Sequence, residues 1–255
     1  MNLHFSLADM PVWLLGLVFF AGLVVAREIG YYLRRRFAGT DKDKDSEVFA
    51  MTSVLGLLAL LIGFTFSIAL SRYESRRELV VKEANAIGTT WLRMQLLDAG
   101  DRAQMEALLR RYVDARVEFG KAEGAAAELA QYQRTVALQD ELWATLMAVV
   151  APFRDTPRAS SLVSTTNESI DLAAERYAAR QSHIPFRIMR MLVLFAWLGA
   201  GLVGYERGKQ RKTTTLLFLL LSLAATLVVD LDRPSTGMVN VPQEPMLHLQ
   251  HSIRP

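Results

Sequence analysis

Four long apolar runs punctuate this chain: Met10–Ala26, Val48–Leu70, Phe186–Tyr205 and Thr213–Val229. Each approaches the roughly 20-residue length of a helix that crosses a hydrocarbon layer about 30 Å thick. None alternates apolar and polar positions with period two, so the runs predict helices, not barrel strands. They pair into two hairpins, residues 1–70 and 185–230, each closed by a short basic connection, Arg27–Glu47 and Glu206–Lys212. The residues before the first run carry no Lys or Arg, and Arg27 and Glu28 follow it at once. That pattern predicts a retained span, since a signal peptide wants a positive start and a small-residue cleavage site.

Residues 71–184 lie between the hairpins and read as helix throughout. Tyr73, Val80, Ala84, Ile87, Trp91 and Met94 recur at helical spacing, so the second span continues some way out of the bilayer. Ala99-Gly100 breaks it, and Asp101 with Gln104 predicts a capping-box start for the next helix. Met105, Leu108, Leu109, Tyr112 and Val113 form that helix's stripe. A third helix is predicted over Ala125–Val150 and a fourth over about Ala159–Gln181. The fold class is therefore all-α: four transmembrane helices and an extramembrane helical bundle between spans two and three. In the tail, residues 231–255, Pro234, Gly237, Pro242 and Pro245 predict no helix, and Met238, Val239, Val241, Met246, Leu247 and Leu249 predict an apolar stretch lying on the protein.

Charge sharpens topology more than chemistry. The formal net charge is +3, with a pI near 9.3. Basic residues gather at membrane flanks, where they serve orientation and headgroup contact, so nucleic acid is not an expected partner and the lipid bilayer is. The basic first connection favours both short connections in the cytoplasm and the helical domain outside a bacterial inner membrane, while the basic flanks around Arg72–Lys82 and Arg176–Arg190 leave the opposite orientation open. The mixed-charge stretch Asp41–Asp45 reads as a polar tip.

No catalytic pattern emerges, and the reading is of a protein that is not an enzyme. The chain has no cysteine, which excludes disulfides and thiolate chemistry. His4, His183, His248 and His251 are scattered; the last two could bind a metal but read as a polar tail, so neither metal nor cofactor is expected. Glu168 and Asp171, one turn apart, are expected to pair with Arg72 or Arg76, the alternative being to bind a cation. Thr52, Gly56, Ala59, Gly63 and Ser67 make one narrow stripe of small residues on the second span. Such a stripe lets helices approach closely, or lines a pathway; an apolar constriction needs no charge inside the span.

One stretch resembles a known family. In GFTFSIALSRYESRRELVVKEANAIGT, Gly63-Phe64 and Ser71-Arg72-Tyr73 stand where bestrophins carry a Gly-Phe pair and, seven residues on, a hydroxyl residue, Arg and an aromatic. The tail DLDRPSTGMVNVPQEPMLHL is similar to the bestrophin segment after the last span. The closer resemblance, over most of the chain, is to the bacterial bestrophin-like domain family of four-span proteins, through ALSRYESRRELVVKEANAIGT, Tyr112–Arg116 (YVDAR), Asn167–Asp171 (NESID) and DLDRP.

The resemblance implies a homo-oligomer, pentameric if bestrophin-like, conducting anions such as chloride. It places an apolar neck at Phe64, Leu60 and Gly56, of which Gly56 has no side chain to constrict with. Arg72, Arg76 and Arg77 would then attract anions at the mouth. Bestrophins carry two tryptophans where Tyr73-Glu74 stand here, and they hold their helical domain in the cytoplasm. Asp230 and Asp232 only partly echo the acidic cation clasp of animal bestrophins. The alternative function is a non-conducting, membrane-anchored helical protein that senses or scaffolds in the envelope.

Overall fold

A computed structural model describes residues 10–37, 44–207 and 210–254. His4 and residues 41–43 of the polar tip lie outside them. Eight α-helices follow one another among the described residues: α1 (Val12–Phe37), α2 (Lys44–Arg93), α3 (Ala99–Lys121), α4 (Ala125–Val150), α5 (Pro157–Gln181), α6 (Phe186–Arg207), α7 (Arg211–Asp232) and α8 (Glu244–Ser252). Among the described residues there is no strand. Five helical stretches are long and apolar enough to cross a membrane, one more than the four apolar runs, because residues 125–153 also qualify.

The chain divides into two compact units. The first comprises residues 1–71, 183–233 and 237–239; the second comprises residues 72–182, 234–236 and 240–255.

In the first unit, Leu23 of α1, Leu58 and Ile62 of α2, Leu192, Ala196, Ala200 and Val203 of α6 and Phe218 of α7 form one buried cluster. Glycine sets the spacing of α1 and α6. A Cβ on Gly204 would sit 2.0 Å from the Arg27 carbonyl oxygen, and one on Gly30 would sit 1.9 Å from that of Gly201. Backbone contact of this kind is how helices associate where apolar burial gives no advantage over lipid. The helices also outrun the apolar runs. α1 continues eleven residues past Ala26 because its basic residues find partners. Arg27 is buried and donates to the hydroxyls of Thr214 (3.1 Å) and Thr215 (2.8 Å) and to Glu28 (2.8 Å). Arg34 donates to the Tyr205 carbonyl at 2.7 Å.

In the second unit the stripes of α2 to α5 close on one another. Ile87, Met94, Met105, Leu109, Tyr112, Leu142, Leu146 and Leu162 are almost wholly buried in one cluster. α3 starts at Ala99 with Asp98 in the cap position, three residues before the expected capping box could act. Gly124 takes φ +80° before α4, a conformation that a Cβ disfavours. Thr156 caps α5, its hydroxyl accepting from the Ala159 amide at 3.3 Å, with Pro157 in the first turn. The tail departs from expectation: residues 244–252 are helical. Pro245 falls in the first turn of α8, where a missing N–H costs nothing. Met246 and Ile253 join the core cluster.

Candidate functional site

The uncovered face of α2 is where the expected site residues lie. Leu58, Ile62, Thr65 and Ala69 bury one side of the helix, while Leu60 and Phe64 are 53% and 59% exposed. Gly56, Gly63, Thr52, Ala59 and Ser67 are exposed as well. Among the described residues, a Cβ added to Gly56 or Gly63 would meet nothing within 4 Å. Exposed positions of α1 and α7 are bulky, among them Trp13, Leu17, Leu216, Leu220 and Leu223. The exposed face of α2 mixes Leu57, Leu60, Phe64 and Ile68 with glycines and hydroxyls.

Helical geometry decides which residues share that face. At about 100° per residue, Gly56, Leu57, Leu60, Ser67, Ile68, Ser71 and Arg72 fall within about 80° of Phe64. The row runs on through Glu74, Ser75, Glu78 and Lys82, all exposed. Glu78 and Lys82 pair at 2.8 Å. The three arginines are distributed differently. Arg76 is buried and donates to the carbonyls of Ala179 (3.1 Å) and Ser182 (2.6 Å), closing the C-terminal end of α5. Arg72, half-buried, donates to the Ser182 hydroxyl. Arg77 is exposed but lies about 140° around the helix from Phe64. Glu168 and Asp171 are exposed and meet neither Arg72 nor Arg76; Asp171 accepts from Asn167 at 2.8 Å.

The polar centre of the second unit escaped the sequence reading. Glu83 of α2 is wholly buried and accepts from Arg116 of α3 and, at 2.6 Å, from Arg176 of α5. Arg180, one turn after Arg176, pairs with Glu128 of α4 at 2.7 Å. It also caps the end of α3 through the carbonyls of Phe119 (2.9 Å) and Ala122 (2.8 Å). The Phe119 ring lies 4.4, 5.4 and 4.9 Å from the guanidinium carbons of Arg116, Arg176 and Arg180. Burial alone would raise the Glu83 carboxyl, but Arg116 and Arg176 outweigh it and hold it below the usual carboxylate range. Burial pushes the Tyr112 phenol up; its hydroxyl accepts from Gln139 at 3.2 Å. One signal was available. Glu83 and Arg116 sit on the apolar stripes themselves, Glu83 between Val80 and Ile87, Arg116 one turn after Tyr112.

Asp230 and Asp232 are engaged with backbone. Asp230 accepts from the amides of Met238 (2.6 Å) and Val239 (3.1 Å), and Asp232 from Ile184 at 3.0 Å. Among the described residues no group of three His, Asp or Glu side chains is placed to hold a metal ion. His248 and His251 lie exposed on α8.

Comparison with known proteins gives one family match, the Bestrophin-like domain, over residues 19–246. No curated protein matches. Among solved structures, a bacterial Bestrophin homolog from Klebsiella pneumoniae superposes with a TM-score of 0.69 at 14% identity, over 93% of this chain and 95% of that one. A point variant of a bacterial Bestrophin homolog from Klebsiella pneumoniae gives 0.68 at 12% identity, over 95% and 97%. A variant described as a membrane protein gives 0.69 at 12% identity, over 95% and 97%.

Proposed function

Because the chain belongs to the bestrophin-like family, a family of membrane-type helical proteins, we propose that it forms a homo-oligomeric ion channel, pentameric as the bestrophin resemblance implies, with the uncovered face of α2 lining the axis. The observation that carries this reading is that face itself. Leu57, Leu60, Phe64 and Ile68 project from a row that also carries glycine and hydroxyl residues, and these four side chains stay exposed among the described residues. Small residues let neighbouring copies approach, and Leu60 and Phe64 form an apolar constriction that gates by dewetting. Four helices cross the bilayer in this reading: α1, the first part of α2, α6 and α7. α4 stays outside, since its Glu128 is buried against Arg180 and its other face carries Arg134, Asp140 and Glu141.

The sign of the permeant ion has two readings. Bestrophin resemblance favours anions such as chloride, attracted by Arg72, Arg76 and Arg77. The Phe64 row itself is charge-balanced, Glu74 and Glu78 against Arg72 and Lys82 with Arg76 buried, which leaves cations as the second reading. The test is ion flux from liposomes holding the purified protein, wild type beside Phe64→Ala, under a potassium chloride gradient. Flux rising about tenfold in the variant, equivalent to roughly 1.4 kcal/mol off the barrier, supports an apolar gate. The sign of the reversal potential assigns anion or cation. No flux above empty liposomes from correctly inserted protein rejects the channel and leaves the non-conducting scaffold reading.

A further inference from the structure

The arginine cluster of the second unit is one counter-charge short. Arg116, Arg176 and Arg180 are each at least nine-tenths buried, and they face two buried carboxylates, Glu83 and Glu128. Phe119 offers its ring to all three, which eases their proximity but supplies no net charge. Two guanidinium N–H groups, Arg116 Nη1 and Arg180 Nε, are buried and without a hydrogen-bond partner. A buried donor left unmade is costly, and an uncompensated buried charge more so.

A cavity adjoins this excess charge. It measures about 10 Å³ and is lined by Arg76, Arg176, Arg180 and Gln243, with Val80 and Val241 as its apolar wall. A volume of that size admits a single water-sized occupant. Its polar rim is donor-rich: Gln243 spends its carbonyl oxygen on Arg176 and its amide on the Val241 carbonyl. Arg180, 6% exposed and with its Nε unsatisfied, is one wall.

We propose that this cavity binds one small monovalent anion, a halide such as chloride, as the missing counter-charge of the arginine cluster. The ion is a structural one. It ties α5 to the segment carrying Gln243 and neutralises the surplus guanidinium, and it is separate from any ion that passes along the α2 face.

The decisive variant is Gln243→Glu, which supplies the negative charge covalently beside Arg176. Thermal unfolding of the purified protein in detergent is followed while chloride replaces gluconate at constant ionic strength. The wild-type Tm should rise by about 2–4 °C across the titration, the shift that roughly 1 kcal/mol of ligand linkage gives a chain of this size. In Gln243→Glu the starting Tm should be higher and the chloride dependence lost. A wild-type Tm indifferent to chloride overturns the proposal. So does an equal chloride shift in both proteins, which assigns the effect to ions elsewhere, such as the α2 face. Crystals grown in bromide give a readout that needs no variant. An anomalous peak within hydrogen-bond reach of Arg176 and Arg180 supports the site, whereas a cavity holding water only refutes it. Absence of ion flux in liposomes would leave this result standing, and loss of the halide effect would leave the channel reading standing.

Discussion

Replacing Glu83 by glutamine removes a single charge from the centre of the second unit. The side chain is 0% exposed and two guanidiniums converge on it, Arg116 through two nitrogens and Arg176 at 2.6 Å. Glutamine keeps the shape and one acceptor, but it leaves three buried arginines facing one carboxylate, Glu128. Breaking a buried pair from one side costs about 3–5 kcal/mol, and here two pairs share the lost partner, so about 5 kcal/mol is expected. At about 2–4 °C per kcal/mol, Tm should fall by roughly 10–20 °C. Trp91 and Trp143 pack against this core, so tryptophan emission reports the transition. The pH dependence has a definite sign. The folded carboxyl titrates below its unfolded range near about 4.3. Its contribution is therefore complete above that value and is lost as pH falls toward the folded pKa. The wild type should lose stability on acidification below about pH 4.3, and Glu83→Gln should lose less. A second substitution, Arg116→Met, should cost less in the Glu83→Gln background than alone. A Tm change under about 2 °C in Glu83→Gln, or strict additivity with Arg116→Met, would refute the network's role.

Two further outcomes follow from other parts of the fold. Gly204→Leu forces α1 and α6 apart, since even a Cβ would lie 2.0 Å from the Arg27 carbonyl oxygen; the expected loss is about 3 kcal/mol or more, read as reduced yield of monodisperse protein in detergent, while Gly56→Ala, with open space around it, should leave folding unchanged. For sidedness, the absence of native cysteine makes single cysteines at Ala126 and Lys212, both exposed, clean reporters. The charge asymmetry of the first helix predicts that an impermeant thiol reagent labels position 126 and not 212 from outside intact cells, and the opposite pattern overturns that orientation.

Helices were legible wherever an apolar stripe repeats at helical spacing. α4 occupies Ala125–Val150 as its stripe predicts, and Leu142 and Leu146 are fully buried. Boundaries set by a single local signal fared worse. Asp101 looked like a cap, but Asp98 occupies that position, and Pro245 looked like a breaker but starts a helix. The close helix contact of the first unit is made by Gly30, Gly201 and Gly204, which form no stripe that singles them out in the sequence. Small residues mark where approach is allowed; the partner that uses the allowance is a tertiary fact. The arginines were hardest. Arg76, Arg176 and Arg180 look like membrane flank charges in one dimension, and only the convergence of α2, α3, α4 and α5 turns them into a buried cluster. On the exposed side of α2, Leu60 and Phe64 could be named from the resemblance, but which charges share their row needed the helical register.

The interleaving of the two units sets an order of events in biogenesis. The core of the second unit is closed by residues that emerge long after its helices do: Arg110 donates to the Ile253 carbonyl across 143 residues, and Gln250 to Asp114 across 136. Between them α6 and α7 must be made. Contacts of such sequence separation are slow to form, because the loop must close before they return anything. In the four-span reading proposed above, the residues that Met246 covers therefore stay open during translation while the second hairpin enters the bilayer. On that reading, completion of the helical unit becomes a report that insertion has succeeded, and a chain whose hairpin fails to insert would keep that surface exposed to chaperones and proteases.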